Sequence, residues 1–384
     1  MARTIDVAII GGGVIGCSIA YQLAKRGVRS TVFEKGRFAG GASGATAGVI
    51  GPLWYVDRSI PHYFRLGIRS FDMFPSLFEE LRDAGVDPEY RPTGIMKVAF
   101  NEPILRILKD NLPWQSEWGA HWIDRKEMME REPLLSDAAI GGVFSPREGS
   151  VRGKALVDSL AHAASQLGAT LLEGVEVTGL EIDGGKVKGL HTAQETYHAG
   201  HTIIAAGPWS GIAKRWVPSA IPVRPVKGQR ILLRKVGFVP KSTVQAVVPQ
   251  INGDLMVAAT REEGLFDEVV TAEGVEMMVA AGAGVFPVLR KAEFVGARAG
   301  VRPGSPDGVP IIGPVPGYDG LSIASGHDHA GIMLSPGTAE LMANYICDGD
   351  TKGVEPFRLA RFTQGKQPTK QAAKTLFTNV THDR

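Results

Sequence analysis

Gly11, Gly13 and Gly16 stand in Gly-x-Gly-x-x-Gly spacing directly behind Ile5-Asp6-Val7-Ala8-Ile9-Ile10, and an acid, Glu34, follows 18 residues past the last of them. Those residue types at that spacing hold a dinucleotide. Gly11 allows a tight turn, Gly13 lets the backbone approach a pyrophosphate, and Gly16 lets a helix lie close to the strand. The helix start, at Val14 and Ile15, offers free N–H groups and a partial positive charge to the phosphates. Glu34, closing the run Val32-Phe33-Glu34, is placed to accept hydrogen bonds from an adenosine ribose. A second small-residue run, Gly40 to Gly48, carries hydroxyls at Ser43 and Thr46. It reads either as backbone pressed against a flat ring or a phosphate, or as a plain linker. Later, Ala297 to Arg302 alternates so that Arg298 and Arg302 fall on one face of a strand.

These residues need elements to position them. Ile15, Ile19 and Leu23, with Ala20 and Ala24 beside them, recur at helical spacing after the glycines, which gives strand, turn, helix and second strand. Phe64, Ile68, Phe71, Phe74, Phe78 and Leu81 predict a core-facing helix over 60–84. Gly94 to Phe100 reads as a strand, with helices around 102–112 and 124–131, as in a unit inserted into the nucleotide-binding sheet. A helix over 153–168 ends at a glycine. Strands follow near 169–173, 175–182 and 186–191, and Thr202 to Ala206 leads into a turn at Gly207. Residues 221–260 are strand-rich, 271–284 is helical, and Leu321 to Gly326 feeds a last helix from Gly331 to about Ile346. Residues from 363 read as a loose polar tail.

At 384 residues the chain is long enough for two or three domains, or for one large α/β body with an inserted unit. A hydrophobic share of 44% and a charged share of 21% are those of a soluble globular protein. The net charge of +2 makes no electrostatic case for nucleic acid. The two cysteines, Cys17 and Cys347, have no metal or redox spacing, so no metal site is expected. No run of 18 apolar residues predicts a membrane span, and a cytoplasmic location is expected.

The order of pieces resembles the glycine oxidase branch of the D-amino-acid oxidase family of FAD-dependent oxidoreductases, over residues 4 to 362. The motifs are Val7 to Gly16, Phe33-Glu34, Ala42 to Gly48, Ala206-Gly207-Pro208-Trp209-Ser210, Pro225-Val226-Lys227-Gly228, Gly300-Val301-Arg302-Pro303-Gly304 with Asp307-Gly308, and Gly326-His327 with Gly331-Ile332. The resemblance implies an α/β fold: a Rossmann-type FAD-binding domain interwoven with a mixed-sheet substrate-binding domain. The expected division is 1–90 with 145–220 and 305–362 for FAD, 91–144 with 221–304 for substrate, and 363–384 as the tail. Implied FAD contacts are Gly11, Gly13, Val14, Ile15, Gly16, Glu34, Lys35, Ala42, Ser43, Ala47, Gly48, Val177, Ala206, Gly207, Trp209, and the turn His329, Ala330, Gly331, Ile332 and Met333. The amides of that turn would face the part of the flavin that gains negative charge on reduction.

Arg302 is implied as the clamp on the substrate carboxylate. Three positions depart from the family pattern. Ala246 stands where a tyrosine is usual, His329 where an arginine is usual, and Arg261 where a smaller apolar residue is usual. If Arg261 reaches the pocket, it suits a substrate with a second carboxylate. His327 and His329 either line the pocket or bond backbone near the flavin, and the remaining histidines read as surface or packing residues. Trp54 and Tyr55 read equally as a lid or as inter-domain packing.

The implied reaction is hydride transfer from a small amino acid, glycine, a D-amino acid or an N-methyl amino acid, to flavin. The imine becomes a keto acid, and O2 becomes hydrogen peroxide. The alternative is a dehydrogenase of proline, hydroxyproline, sarcosine or an opine that uses another acceptor, alone or within a complex. Two further classes remain open: an NAD-linked dehydrogenase, which Glu34 alone permits, and a flavin-binding subunit needing a partner chain. A homo-oligomer is expected.

Overall fold

The computed structural model describes residues 3–217, 221–234 and 237–362. The tail expected from 363 onward lies outside the described residues. The apolar run before the fingerprint forms the strand Arg3–Ile10, whose last four residues are buried. It pairs in parallel with Ser30–Glu34 on one side and with Thr196–Ile204 on the other. Thr170–Glu173 extends the sheet in parallel beyond Ser30–Glu34. Beyond Thr196–Ile204, Leu321–Ser325 pairs in parallel at one end, and Lys186–Thr192 pairs antiparallel at the other. Parallel strands buried on both faces need near-continuous apolar runs, which Val7 to Ile10 and Ile203-Ile204 supply.

Four helices build the core on one face. Val14–Lys25 packs against both Gly153–Gln166 and Gly331–Asp348, and Pro61–Asp83 packs on Gly331–Asp348. Phe71, Phe74, Phe78 and Leu81 all lie in this core, as their spacing predicted. The helix expected to end near Leu112 runs on to Ser116, because Pro113 and Trp114 continue its turns and Trp114 is buried.

A second, mixed sheet lies beside the first. Its long pair is Arg224–Arg234 with Glu293–Gly304, antiparallel in register from Arg224 opposite Gly304. Leu255–Ala258, Val247–Pro249 and Thr243–Val244 follow, then Ile95–Ala99 in parallel with Thr243–Val244, then Gly141–Ser145 and His121–Ile123. Within the strand-rich run expected over 221–260, Thr243–Val244 and Val247–Pro249 are two short strands, because Gln245 takes a left-handed φ of 52° and turns the chain. Helix Ala272–Val285 packs on this sheet. Among the described residues no helix is long and apolar enough to cross a membrane.

Candidate active site

The cavity of about 1370 Å³ runs between the two sheets, from the fingerprint to the start of the last helix. At the fingerprint end Gly11 takes φ +117°, and a Cβ there would lie 2.5 Å from the Ala205 carbonyl oxygen. Gly16 does not line the cavity; a Cβ on it would collide with the Gly11 carbonyl, so its role is the close seating of the helix on the strand. Glu34 accepts hydrogen bonds from the amides of Gly12 and Gly36, each at 2.8 Å. Those bonds fix the carboxylate at the cavity edge and leave each oxygen a further acceptor site. Ser43 Oγ accepts from the Val14 amide at 3.0 Å, so its own proton stays available to an anion. The Lys35 ammonium lies 4.1 Å over the Trp209 ring.

The Gly40–Gly48 run is a fixed wall. Arg298 donates to the carbonyls of Gly40 and Gly44 at 2.9 and 3.2 Å, and Arg230 Nε donates to the Ala45 carbonyl at 2.7 Å. A Cβ on Gly300 would collide with Ala45, so the second sheet is fitted to this wall. Both observations set the linker reading aside. Val14, Ile15, Ala42, Ala47, Gly48, Val177, Ala206 and Gly207 line the same cavity.

At the other end the helix Gly331–Asp348 begins on the cavity, with Ala330, Gly331, Ile332 and Met333 on its lining. The first N–H groups of a helix have no partner within it, and they present a positive field. An elongated cavity larger than an ordinary ligand pocket is therefore walled by glycines where a flat or anionic group must come close, with an acid at one end and a helix start at the other. That donor set fits FAD: Glu34 for the ribose, the turn after Ile10 and Ser43 for the pyrophosphate, and the start of the last helix for the flavin.

Arg302 lies on the cavity near that helix start. Its guanidinium donates to the carbonyls of Thr260 (3.1 and 3.2 Å) and Lys227 (3.3 Å). Burial lowers its pKa, and among the described residues no carboxylate forms an ion pair with it.

Arg261 also lines the cavity, but it is committed elsewhere. Both its terminal nitrogens donate to Asp328, at 2.9 and 2.7 Å, and it pairs with Glu263 as well. Arg261 thus reaches the cavity, as the reading of a second substrate carboxylate requires, with its charge already shared with Asp328 and Glu263. Burial raises the Asp328 carboxyl, but its bonds to His329 and Arg261 and their charges outweigh this and hold it well below the usual range.

His327 and His329 part company. His327 is buried, its Nε2 meets Thr338 Oγ1 at 3.0 Å, and burial pushes it down to about 3, so it is neutral. His329 donates through Nε2 to the Tyr55 carbonyl at 3.1 Å, the backbone-bonding alternative. Of the Trp54-Tyr55 pair, Trp54 is core and Tyr55 lines the cavity.

Sequence reasoning missed Lys97, Gln245 and Asp328 as cavity residues. Lys97 is 2% exposed and donates to Tyr55 Oη at 3.1 Å. Its signal was there to read: a lysine in the middle of the apolar strand Ile-Met-Lys-Val-Ala.

Comparisons with known proteins agree with this geometry. The profile of the DAO family, described as FAD dependent oxidoreductase, matches residues 6–345. Glycine oxidase of Geobacillus kaustophilus (strain HTA426) is 36% identical over 372 residues, covering 94% of this chain and 98% of that protein. Glycine oxidase of Pseudomonas putida is 32% identical over 360 residues, covering 91% and 95%. The crystal structure of glycine oxidase from Geobacillus kaustophilus superimposes with a TM-score of 0.87 at 35% identity, over 94% of this chain and 99% of that one. With the cradle for FAD and these matches in hand, the chain belongs to the DAO family of FAD-dependent oxidoreductases.

Proposed function

We propose that this protein oxidises the carbon–nitrogen bond of a small amino acid or N-substituted amino acid to an imine, which water then splits to a keto acid and ammonia or an amine. The observation that carries the reading is Arg302. A guanidinium that lines the cavity, weakly solvated and met among the described residues by backbone carbonyls, calls for an anion. A carboxylate supplies that anion and matches the planar fork with two parallel hydrogen bonds. Bound FAD would supply the two-electron acceptor for the hydride of the substrate α-carbon, with O2 as the final oxidant giving hydrogen peroxide. The chain's own residues bind and orient. Arg302 fixes the carboxylate, and the start of helix Gly331–Asp348 favours negative charge on its side of the cavity.

The first choice is glycine, a small D-amino acid or an N-methyl amino acid with O2 as acceptor, in line with the names of the relatives above. The second is a dehydrogenase of proline, hydroxyproline, sarcosine or an opine with another acceptor, or a subunit of a complex. Ala246 on the cavity wall favours it by leaving room for a bulkier substrate. We also take 91–144 with 221–304 as the substrate-binding unit and 1–90, 145–220 and 305–362 as the FAD-binding unit. The protein is taken to work in the cytoplasm as a homo-oligomer.

The test is anaerobic bleaching of the yellow holoprotein with glycine, sarcosine, D-alanine, D-proline, L-proline, hydroxyproline and an opine, followed by air. Bleaching, then rapid recolouring with peroxide, is the expected result. Bleaching that persists in air selects the dehydrogenase. A yellow protein that none of them bleaches sinks amine oxidation.

A further inference from the structure

Arg302 can meet only part of what a carboxylate demands. An ionised carboxylate has about four acceptor sites, and each one left unmet in a dry cavity is costly. Most hydroxyl protons at this end of the cavity are already spent. Thr260 donates to Glu262 at 2.7 Å, Ser305 to Asp307 at 3.3 Å, and Ser325 to the Gly207 carbonyl at 2.9 Å.

Tyr55 is arranged differently. Its Oη receives a hydrogen bond from Lys97 Nζ at 3.1 Å, so the ammonium fills one acceptor site of the oxygen and the phenolic proton must point elsewhere. The residue is held from both sides of its backbone. His329 donates to its carbonyl at 3.1 Å, and two residues earlier the Leu53 amide donates to buried Glu148 at 3.0 Å. A continuous set of contacts leads from here to Arg302. The rings of Tyr55 and His329 lie 6.0 Å apart, and Asp328, next to His329, holds Arg261. Arg261 follows Thr260, whose carbonyl holds Arg302. Tyr55, Lys97 and Arg302 all line the one cavity. Lys97, buried behind the phenol, makes that patch favourable to a carboxylate and unfavourable to an ammonium.

We propose that Tyr55 is a second donor to the substrate carboxylate, acting alongside Arg302, and that Lys97 is the positioning residue that turns the phenolic proton toward it. The assignment rests on the amino-acid reading above and deepens it.

The experiment compares holoprotein carrying Tyr55→Phe, Lys97→Met or Lys97→Arg with the wild type. Acetate binding is read by calorimetry, and KM and kcat are measured with the best substrate from the bleaching panel. Tyr55→Phe should keep its FAD, bind acetate about tenfold more weakly and raise KM by about the same factor, with kcat within about threefold. Lys97→Met should move in the same direction, and Lys97→Arg should recover most of the loss. Acetate affinity and KM unchanged in Tyr55→Phe overturn the assignment while leaving the amino-acid reading intact. A wild type that no amino acid bleaches overturns both.

Discussion

The Arg302 guanidinium lies over the α-carbon of Gly228, so closely that an ideal Cβ on Gly228 would sit 2.5 Å from Arg302 Cζ. The two are diagonal neighbours across the long strand pair, with Gly228 opposite Gly300 and Val226 opposite Arg302. The glycine of Pro225-Val226-Lys227-Gly228 thus makes room for the arginine, and the two motifs form one device. Gly228→Ala should push the guanidinium off the Thr260 carbonyl and raise KM for carboxylate substrates, at a stability cost of about 1–3 kcal/mol for overpacking. Arg302→Ala should raise KM by about 100-fold, the loss of two charge-assisted hydrogen bonds of about 1.5 kcal/mol each, with FAD still bound. Steady-state kinetics and the absorbance ratio of flavin to protein check both. An Arg302→Ala variant with wild-type KM removes the clamp.

Glu34 holds two backbone amides and keeps an acceptor site on each oxygen for the ribose. Glu34→Ala should therefore loosen the turn and drop the ribose bonds together, weakening FAD by about 10- to 100-fold. Dialysis followed by titration with FAD gives the affinity, and the melting temperature should respond to added FAD more weakly than in the wild type. A variant that stays fully loaded through dialysis would count against the ribose role.

The Arg261–Asp328 pair makes a prediction about stability rather than substrate. Asp328 sits at φ 48°, where aspartate and asparagine are tolerated, so Asp328→Asn tests the charge without disturbing the backbone. Losing it leaves Arg261, among the described residues, with exposed Glu263, at a cost on the order of 2 kcal/mol. The figure is reduced from that of a fully buried pair because the Arg261 side chain is 29% exposed. Adding Arg261→Met should recover part of the loss, since no uncompensated charge then remains. The Asp328 carboxyl is depressed in the folded state, so its stabilisation is present above the unfolded value of about 3.9 and is lost as pH falls below it. Asp328→Asn should flatten the acid limb of the stability profile, measured by denaturant midpoints. An unaltered acid limb would contradict the pairing.

The nucleotide-binding end was legible because its elements carry local signals. The apolar run of Val7 to Ile10, the glycine spacing and the acid at Glu34 all lie within one strand–helix–strand unit. The substrate end was legible only in pieces, because its side chains come from segments far apart in the chain. Lys97, Tyr55 and Arg302 come to one cavity through sheet pairing that no local pattern encodes. Nothing near Arg261 in sequence announces its partner Asp328, 67 residues on. His327 reads equally as a pocket residue or a backbone-bonding one; it lines the cavity, and its ring meets the Thr338 hydroxyl, a partner that no local pattern announces.

Glu148 supplies the last prediction. It is 1% exposed, accepts the Leu53 amide, and burial pushes its carboxyl up to about 7 against that bond, other hydrogen bonds and the nearby Lys97 charge. The unfolded chain ionises this group near 4.3, so between about pH 4.3 and 7 the folded state holds a proton that the unfolded state has released. Stability contributed by the group therefore falls as pH rises through that window, by up to about 1.4 kcal/mol per pH unit, and levels off above pH 7. Glu148→Gln keeps an acceptor for Leu53 and cannot ionise. It should match the wild type near pH 4.5, be more stable near pH 7, and show no slope between them apart from that of other groups. Because the Lys97 charge acts on this carboxyl and Lys97 bonds Tyr55 Oη, KM for the substrate should lose part of its pH dependence in the same variant. Urea midpoints at half-unit pH steps for both proteins decide the matter, and parallel profiles would show that Glu148 is ionised throughout.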